Sequence, residues 1–152
     1  MPPLATPKLT VELVPSSCWY SNIRSQVPRT EWDRLRKLVY RNAGHKCEVC
    51  GGRGSRWPVE AHELWEYDDT THTQRLLTIQ ALCPNCHAVK HLGRTSLCGD
   101  LEQAIEHLAR VNEWSYVQAK QYAAECFKVW AERSEHEWVL DLTNLRNYDE
   151  PI

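Results

Sequence analysis

The chain has 152 residues, of which 42% are aliphatic, aromatic or Cys and 25% are charged. That size and composition fit one globular domain with a modest core and exclude a disordered or collagen-like chain. The net charge of −2 says little, but its distribution is uneven: Arg24 to Arg56 holds nine Lys/Arg against three Asp/Glu, and Trp57 to the end holds eight against sixteen. A basic first third on an acidic remainder predicts one positive face. No run approaches the 18 or so apolar residues that a spanning helix needs, so no membrane role is expected. The opening MPPLATPKLTVELVPSS shows no basic stretch leading into an apolar block, which points to a cytoplasmic protein.

Residues 1–29 hold prolines at 2, 3, 7, 15 and 28 and read as an extended arm, with Trp19-Tyr20 packing its second half down. Thr30 opens a helix with Asp33 as its short capping partner. Trp32, Leu35, Leu38 and Val39 recur at helical spacing, while Arg34, Lys37 and Arg41 lie off that face, and Gly44 ends the helix. Ser55 to Glu66 alternates as a strand after Pro58, Asp68 to Thr71 is a polar turn, and Arg75 to Leu82 is a second strand. Pro84 to Leu92 reads as a helix ended by Gly93. Asp100 caps a helix over 101–111, Ser115 with Gln118 caps a longer one to about Arg133, and Glu137 to Leu142 is a short strand or extended segment. The fold class is therefore α+β. It comprises an arm (1–29), a central module (30–99) and a helical extension of the same domain (100–152). Most of the seven Trp residues are expected in the core.

Seven Cys and the absence of a secretory signal argue against a disulfide framework. Four of them form two C-x-x-C steps, Cys47-Glu-Val-Cys50 and Cys83-Pro-Asn-Cys86, with 32 residues between. Each step points two thiolates at one place, and two steps supply the four sulfurs of a tetrahedral zinc site. The competing reading is a redox pair. Gly51-Gly52 frees the backbone to turn tightly after the first step. Cys18, Cys98 and Cys126 have no such partners and read as packing residues.

His62 lies on the first strand, within VEAHEL, and His87 and His91 follow the second Cys pair on a helix. Their i, i+4 spacing puts both imidazoles on one helix face, as metal ligation requires, and turns them away from Cys83 and Cys86. Three histidines near a hairpin pinned by zinc point to a second metal site beside the sulfur site.

With Cys-x-x-Cys, then VEAHELW, then ALCPNCHAVKH, residues of about 44–93 resemble the HNH endonuclease family and its ββα-metal fold. The resemblance implies a metal-dependent endonuclease that hydrolyses phosphodiester bonds, in DNA before RNA. It also implies a structural Zn²⁺ and a catalytic divalent ion: Mg²⁺, Mn²⁺, Ni²⁺ or Zn²⁺. In that family the first strand ends in a metal-binding Asp or His followed by a base His, and the helix adds one or two ligands. Carried over, His87 and His91 match the helix ligands. His62 matches either the strand ligand, with Glu63 at the base position, or the base itself, with Glu60 or Glu63 helping to hold metal or orient the ring. Gln74 and Thr78 lie nearest the family's middle Asn.

A neutral imidazole is a better base at pH 7 than an unshifted carboxylate, which favours His62 as base; three imidazoles around one ion favour it as ligand. In both cases His62 is indispensable. Arg34, Lys37, Arg41, Arg53 and Arg56 are the expected phosphate contacts, and such contacts give affinity rather than sequence choice. The acidic C-terminal half offers instead a surface to a protein partner or a second copy. The alternative function is a catalytically inactive zinc module that binds nucleic acid or a protein.

Overall fold

The alternating segment between the two Cys pairs folds as an antiparallel hairpin. In the computed structural model, which describes residues 7–149, β1 spans Glu60–Asp68 and β2 spans Thr73–Leu82. Their register pairs Glu60 with Leu82, His62 with Gln80 and Asp68 with Thr73, with a bulge between Leu64 and Trp65. The strand expected after Pro58 begins at Glu60. The Gly54 N–H donates to the Pro58 carbonyl at 3.0 Å, closing the residues between them into a loop. The polar turn forms as expected: Asp68 Oδ1 accepts the N–H groups of Thr70 and Thr71 at 2.9 and 3.1 Å.

Strand alternation gives the hairpin two faces with different coverings. A short helix α1, Ile23–Gln26, leads into α2, Arg29–Asn42, which buries Trp32, Leu35 and Val39. These pack with Val59, Leu76, Ile79 and Ala81, and with half-buried Ala61 and Trp65. The start of α2 differs from expectation. Pro28 is its N-cap residue, and Asp33 takes the Arg36 guanidinium at 2.9 Å instead of capping.

The other face is covered by the helices after β2. These are α3 (Pro84–Lys90), α4 (Leu92–Leu97), α5 (Leu101–Asn112) and α6 (Tyr116–Arg133). Their core holds Leu82, Val89, Leu92, Ile105, Leu108, Ala119 and Ala123. One expected helix over 84–92 is two: the backbone breaks at His91 (φ −103°, ψ 51°), Gly93 sits inside α4, and Gly99 (φ 84°) supplies the left-handed turn after it. The Ser115–Gln118 capping box opens α6, whereas the Asp100 side chain makes no capping bond to α5.

The arm lies in the second core. Leu9 and Val11 are buried there, and the arm's backbone is fixed by side chains. Leu9 exchanges two bonds with the Asn112 amide, at 2.9 and 2.8 Å, and the Val11 N–H donates to the Tyr122 hydroxyl at 3.3 Å. Trp19 and Tyr20 do not hold it down. They are 59% and 89% exposed, and buried Cys18 and Ile23 do that packing. Residues 1–6, with Pro2 and Pro3, lie outside the described residues. Of the seven Trp only Trp32 is buried; Trp19 and Trp57 are exposed and the others half-buried. Cys98 is also exposed, contrary to its reading as a packing residue.

At the C-terminal end, β3 (Val139–Asp141) pairs in parallel with the start of β2. A 3-10 turn over Thr143–Tyr148 then covers the rest of that edge: the Tyr148 hydroxyl accepts the Ile79 N–H at 2.7 Å, and the Asn144 amide donates to the Leu76 carbonyl at 2.9 Å. Among the described residues, no helix is long and apolar enough to cross a membrane.

Candidate metal centre

Both C-x-x-C steps lie where the chain turns, and the turns aim their sulfurs at one point. The first is shaped by the Cys47 N–H bonding the Gly52 carbonyl at 2.9 Å and the Gly51 N–H (φ 77°) bonding the Cys47 carbonyl at 3.0 Å. It is pinned to the sheet by Glu48, whose N–H donates to the Ala81 carbonyl at 2.9 Å while its carboxylate accepts the Ala81 N–H. The second lies where β2 passes into α3. The sulfurs of Cys47, Cys50, Cys83 and Cys86 fall within 4.8 Å of one another, close enough to hold one metal ion.

The donor set fits such an ion. Ligands 2.3 Å from a tetrahedral centre stand about 3.8 Å apart, and Cys50 and Cys83 sulfurs are 3.6 Å apart. Backbone N–H groups already point at the sulfurs, from Cys50 to Cys47, from Gly52 to Cys50 and from Cys86 to Cys83, at 3.4–3.5 Å. His107 of α5 adds a ring nitrogen 3.2 Å from the Cys86 sulfur. Hydrogen bonds from Cys83 and Cys86 pull the Cys47 thiol far down, while the same bonds push Cys83 up to about 11 and Cys86 higher still. The Cys47 thiolate thus suppresses Cys83 and Cys86, and a cation is what would let them ionise together with it.

The three histidines form a second cluster. His62 projects from the face of β1 opposite Ala61, and His87 and His91 project from successive turns of α3 and its C-terminus. One nitrogen from each ring lies within 4.8 Å of the others. Ring centroids are 4.8–5.4 Å apart and the planes are steeply inclined, so the rings converge edge to face rather than stack. Two carboxylates address them. Glu60 Oε1 is 2.9 Å from His87 Nδ1, which leaves His87 Nε2 as the inward nitrogen, and Glu12 Oε2 is 3.3 Å from His62 Nε2. Burial lowers the His87 pKa against the pull of Glu60, and burial with the neighbouring His87 lowers His91 to about 3. Both rings are therefore neutral at pH 7, as ligands must be.

Glu63 does not join the cluster. Its neighbour His62 takes the α3 face of the strand, and Glu63 Oε2 accepts the Ile23 N–H at 3.0 Å. Burial raises its pKa although the Ile23 N–H lowers it. Thr78 and Gln74 are also committed elsewhere: Thr78 Oγ1 lies 2.8 Å from the Tyr148 hydroxyl, and buried Gln74 donates to the Ser21 carbonyl at 3.3 Å.

The basic residues divide. Arg34 pairs with Glu31 at 2.6 Å and donates to the Tyr148 carbonyl at 3.1 Å, and Lys37 and Arg41 are exposed on α2, across the hairpin from the imidazoles. Arg53 and Arg56 are exposed on the loop after the first Cys pair, with Arg53 reaching the Gly44 carbonyl at 3.4 Å. Arg94 of α4, which no sequence pattern marks, carries a positive charge that lowers the pKa of both His87 and His91. Glu12, Lys90 and His107 were missed as well. Glu12 stands 50 positions from His62 in the chain, and no spacing rule links them.

The fold and its two clusters define an α+β protein with two neighbouring sites able to hold metal ions. Compared with family models, curated proteins and solved structures, the chain matches none.

Proposed function

We propose that this protein is a metal-dependent endonuclease of the HNH type, with a structural zinc on the four Cys residues and a divalent cation on His62, His87 and His91. The convergence of three imidazoles from a hairpin and its following helix, beside a sulfur cluster, carries the reading. It has the ββα order of the resembled family, and the three-nitrogen donor set suits Ni²⁺ or Zn²⁺ better than Mg²⁺. A bound cation there supplies charge neutralisation at the leaving oxygen of a phosphodiester. Glu60 holds the His87 ring in the tautomer whose Nε2 faces inward. Arg94, with Arg53 and Arg56 on the adjoining loop, gives phosphate contacts to a nucleic acid, DNA before RNA.

The turning of Glu63 to Ile23 leaves the family's base position without a base at the cluster. That observation favours the second reading, a module that holds its metal and binds nucleic acid or a protein without cleaving. A plasmid-nicking assay separates the two. The purified protein is assayed with Mg²⁺, Mn²⁺ or Ni²⁺, with a chelator control, beside a His62→Ala variant. Metal-dependent nicking lost in the variant supports the nuclease. Absence of nicking with every metal, from protein retaining one zinc per chain, supports the binding module.

A further inference from the structure

We propose that Glu12 of the N-terminal arm is a positioning residue of the histidine cluster, accepting the His62 Nε2–H so that Nδ1 is the nitrogen presented to the cation. The inference rests on the metal-site reading above and adds to it a residue from outside the hairpin and helix.

His62 is 3% exposed, and a buried ring N–H needs an acceptor. Glu12 Oε2 stands 3.3 Å from Nε2. The carboxylate is held there from several sides. The Glu12 N–H donates to the Lys90 carbonyl at 3.2 Å, and the Lys90 ammonium pairs with the Glu12 carboxylate and donates to Thr10 Oγ1 at 2.6 Å. The Thr10 hydroxyl in turn reaches Glu12 Oε2 at 3.3 Å. Lys90 is itself buried and lies on α3 between His87 and His91 in sequence, so the helix that carries two imidazoles also clamps the residue that orients the third. Glu12 then does for His62 what Glu60 does for His87: a carboxylate on the outer nitrogen fixes which nitrogen faces in. The competing explanation is that Glu12 serves only to neutralise buried Lys90.

The test uses the full-length protein with zinc on its Cys residues and titrates Co²⁺ alone, following the visible absorption of nitrogen-bound cobalt. The wild type takes up one cobalt per chain beyond the zinc. Glu12→Ala weakens cobalt binding about 10- to 100-fold, Glu12→Gln, which keeps an acceptor oxygen, weakens it less, and Glu12→Ala/Lys90→Met remains weak. Wild-type affinity in Glu12→Ala, or its recovery in the double variant, overturns the positioning role and leaves only charge neutralisation. A wild type that takes up no second metal overturns the metal-site reading itself, and the positioning role with it. Should Glu12→Ala fail to fold, nitrogen NMR of the wild-type His62 ring decides: an Nε2–H tautomer supports the proposal and an Nδ1–H tautomer overturns it.

Discussion

The two clusters are adjacent in the chain, with Cys86 next to His87, yet they are held by different parts of the molecule. Three of the four sulfurs are held by backbone: N–H groups two or three residues away point at them, and Glu48 ties the first turn to β2. The imidazoles are held by side chains from remote segments, Glu60 and Glu12, which lie 27 and 50 positions from the rings they address. A site built from local turns belongs to the fold's integrity. A site built from distant side chains can be dismantled while the fold remains.

The largest expected effect tests that division. Zinc at a structural site contributes on the order of 10 kcal/mol or more, comparable with the whole stability of a domain. Cys83→Ala, or a strong chelator, should therefore abolish the cooperative thermal transition. On the proposed reading, His91→Ala should leave the metal on the Cys residues and far-ultraviolet circular dichroism near wild type while removing a metal from the histidine cluster. A Cys83→Ala protein that melts like the wild type would dissolve the distinction.

Acid sharpens the same comparison. Burial lowers the folded-state pKa of His87, and of His91 to about 3, below the ordinary value of 6.5. The unfolded chain therefore binds more protons between those values, and stability is full above about pH 6.5 and falls as pH drops toward 3. The slope per histidine is at most about 1.4 kcal/mol per pH unit. Urea melts of the metal-free histidine site between pH 7.5 and 4.5 should show the decline, and His91→Gln should flatten it.

The same contrast explains what could be read from the sequence. Cys-x-x-Cys spacing, the Ser115–Gln118 box and the i, i+4 histidines are local patterns, and each is found where the spacing put it. The helix break at His91 was not legible, because it depends on packing of α4. Glu63 was read as a site residue from its place beside His62. Strand alternation sends adjacent side chains to opposite faces, and the Ile23 N–H secures it there. Glu12 carries no sequence signal, since its role exists only once the arm has folded onto α3.

A smaller effect separates two glycines. A Cβ on Gly54 would run into the Trp57 carbonyl oxygen and stand 2.7 Å from Pro84 Cδ, where the Cys loop passes the start of α3. Gly54→Ala should cost about 1–3 kcal/mol. Gly93 sits within α4 with its nearest neighbours, Leu13 and Phe127, at 3.9 Å. Gly93→Ala should be neutral or stabilising by up to about 1 kcal/mol. Thermal melts of the pair measure how tightly the sulfur site is packed compared with the helix beyond it.

The smallest expected effect concerns the one side chain from the helical extension that reaches the sulfur site. His107 places Nε2 3.2 Å from the Cys86 sulfur, and burial followed by nearby Arg110 lowers its pKa, so the ring is neutral, and in its Nε2–H tautomer it donates to that sulfur. Cys47, Cys50 and Cys83 already receive backbone N–H groups, but for Cys86 the donor comes from α5. If zinc sits there, His107→Phe removes one donor to a thiolate while keeping a ring to pack. Outer partners of metal ligands are worth tenfold or more in affinity, and with four thiolates sharing the charge the lower end applies. Zinc release to a chromophoric chelator should accelerate by about tenfold or less, with the melting transition intact. An unchanged rate would mean that the backbone alone holds the sulfur site and that α5 contributes packing only.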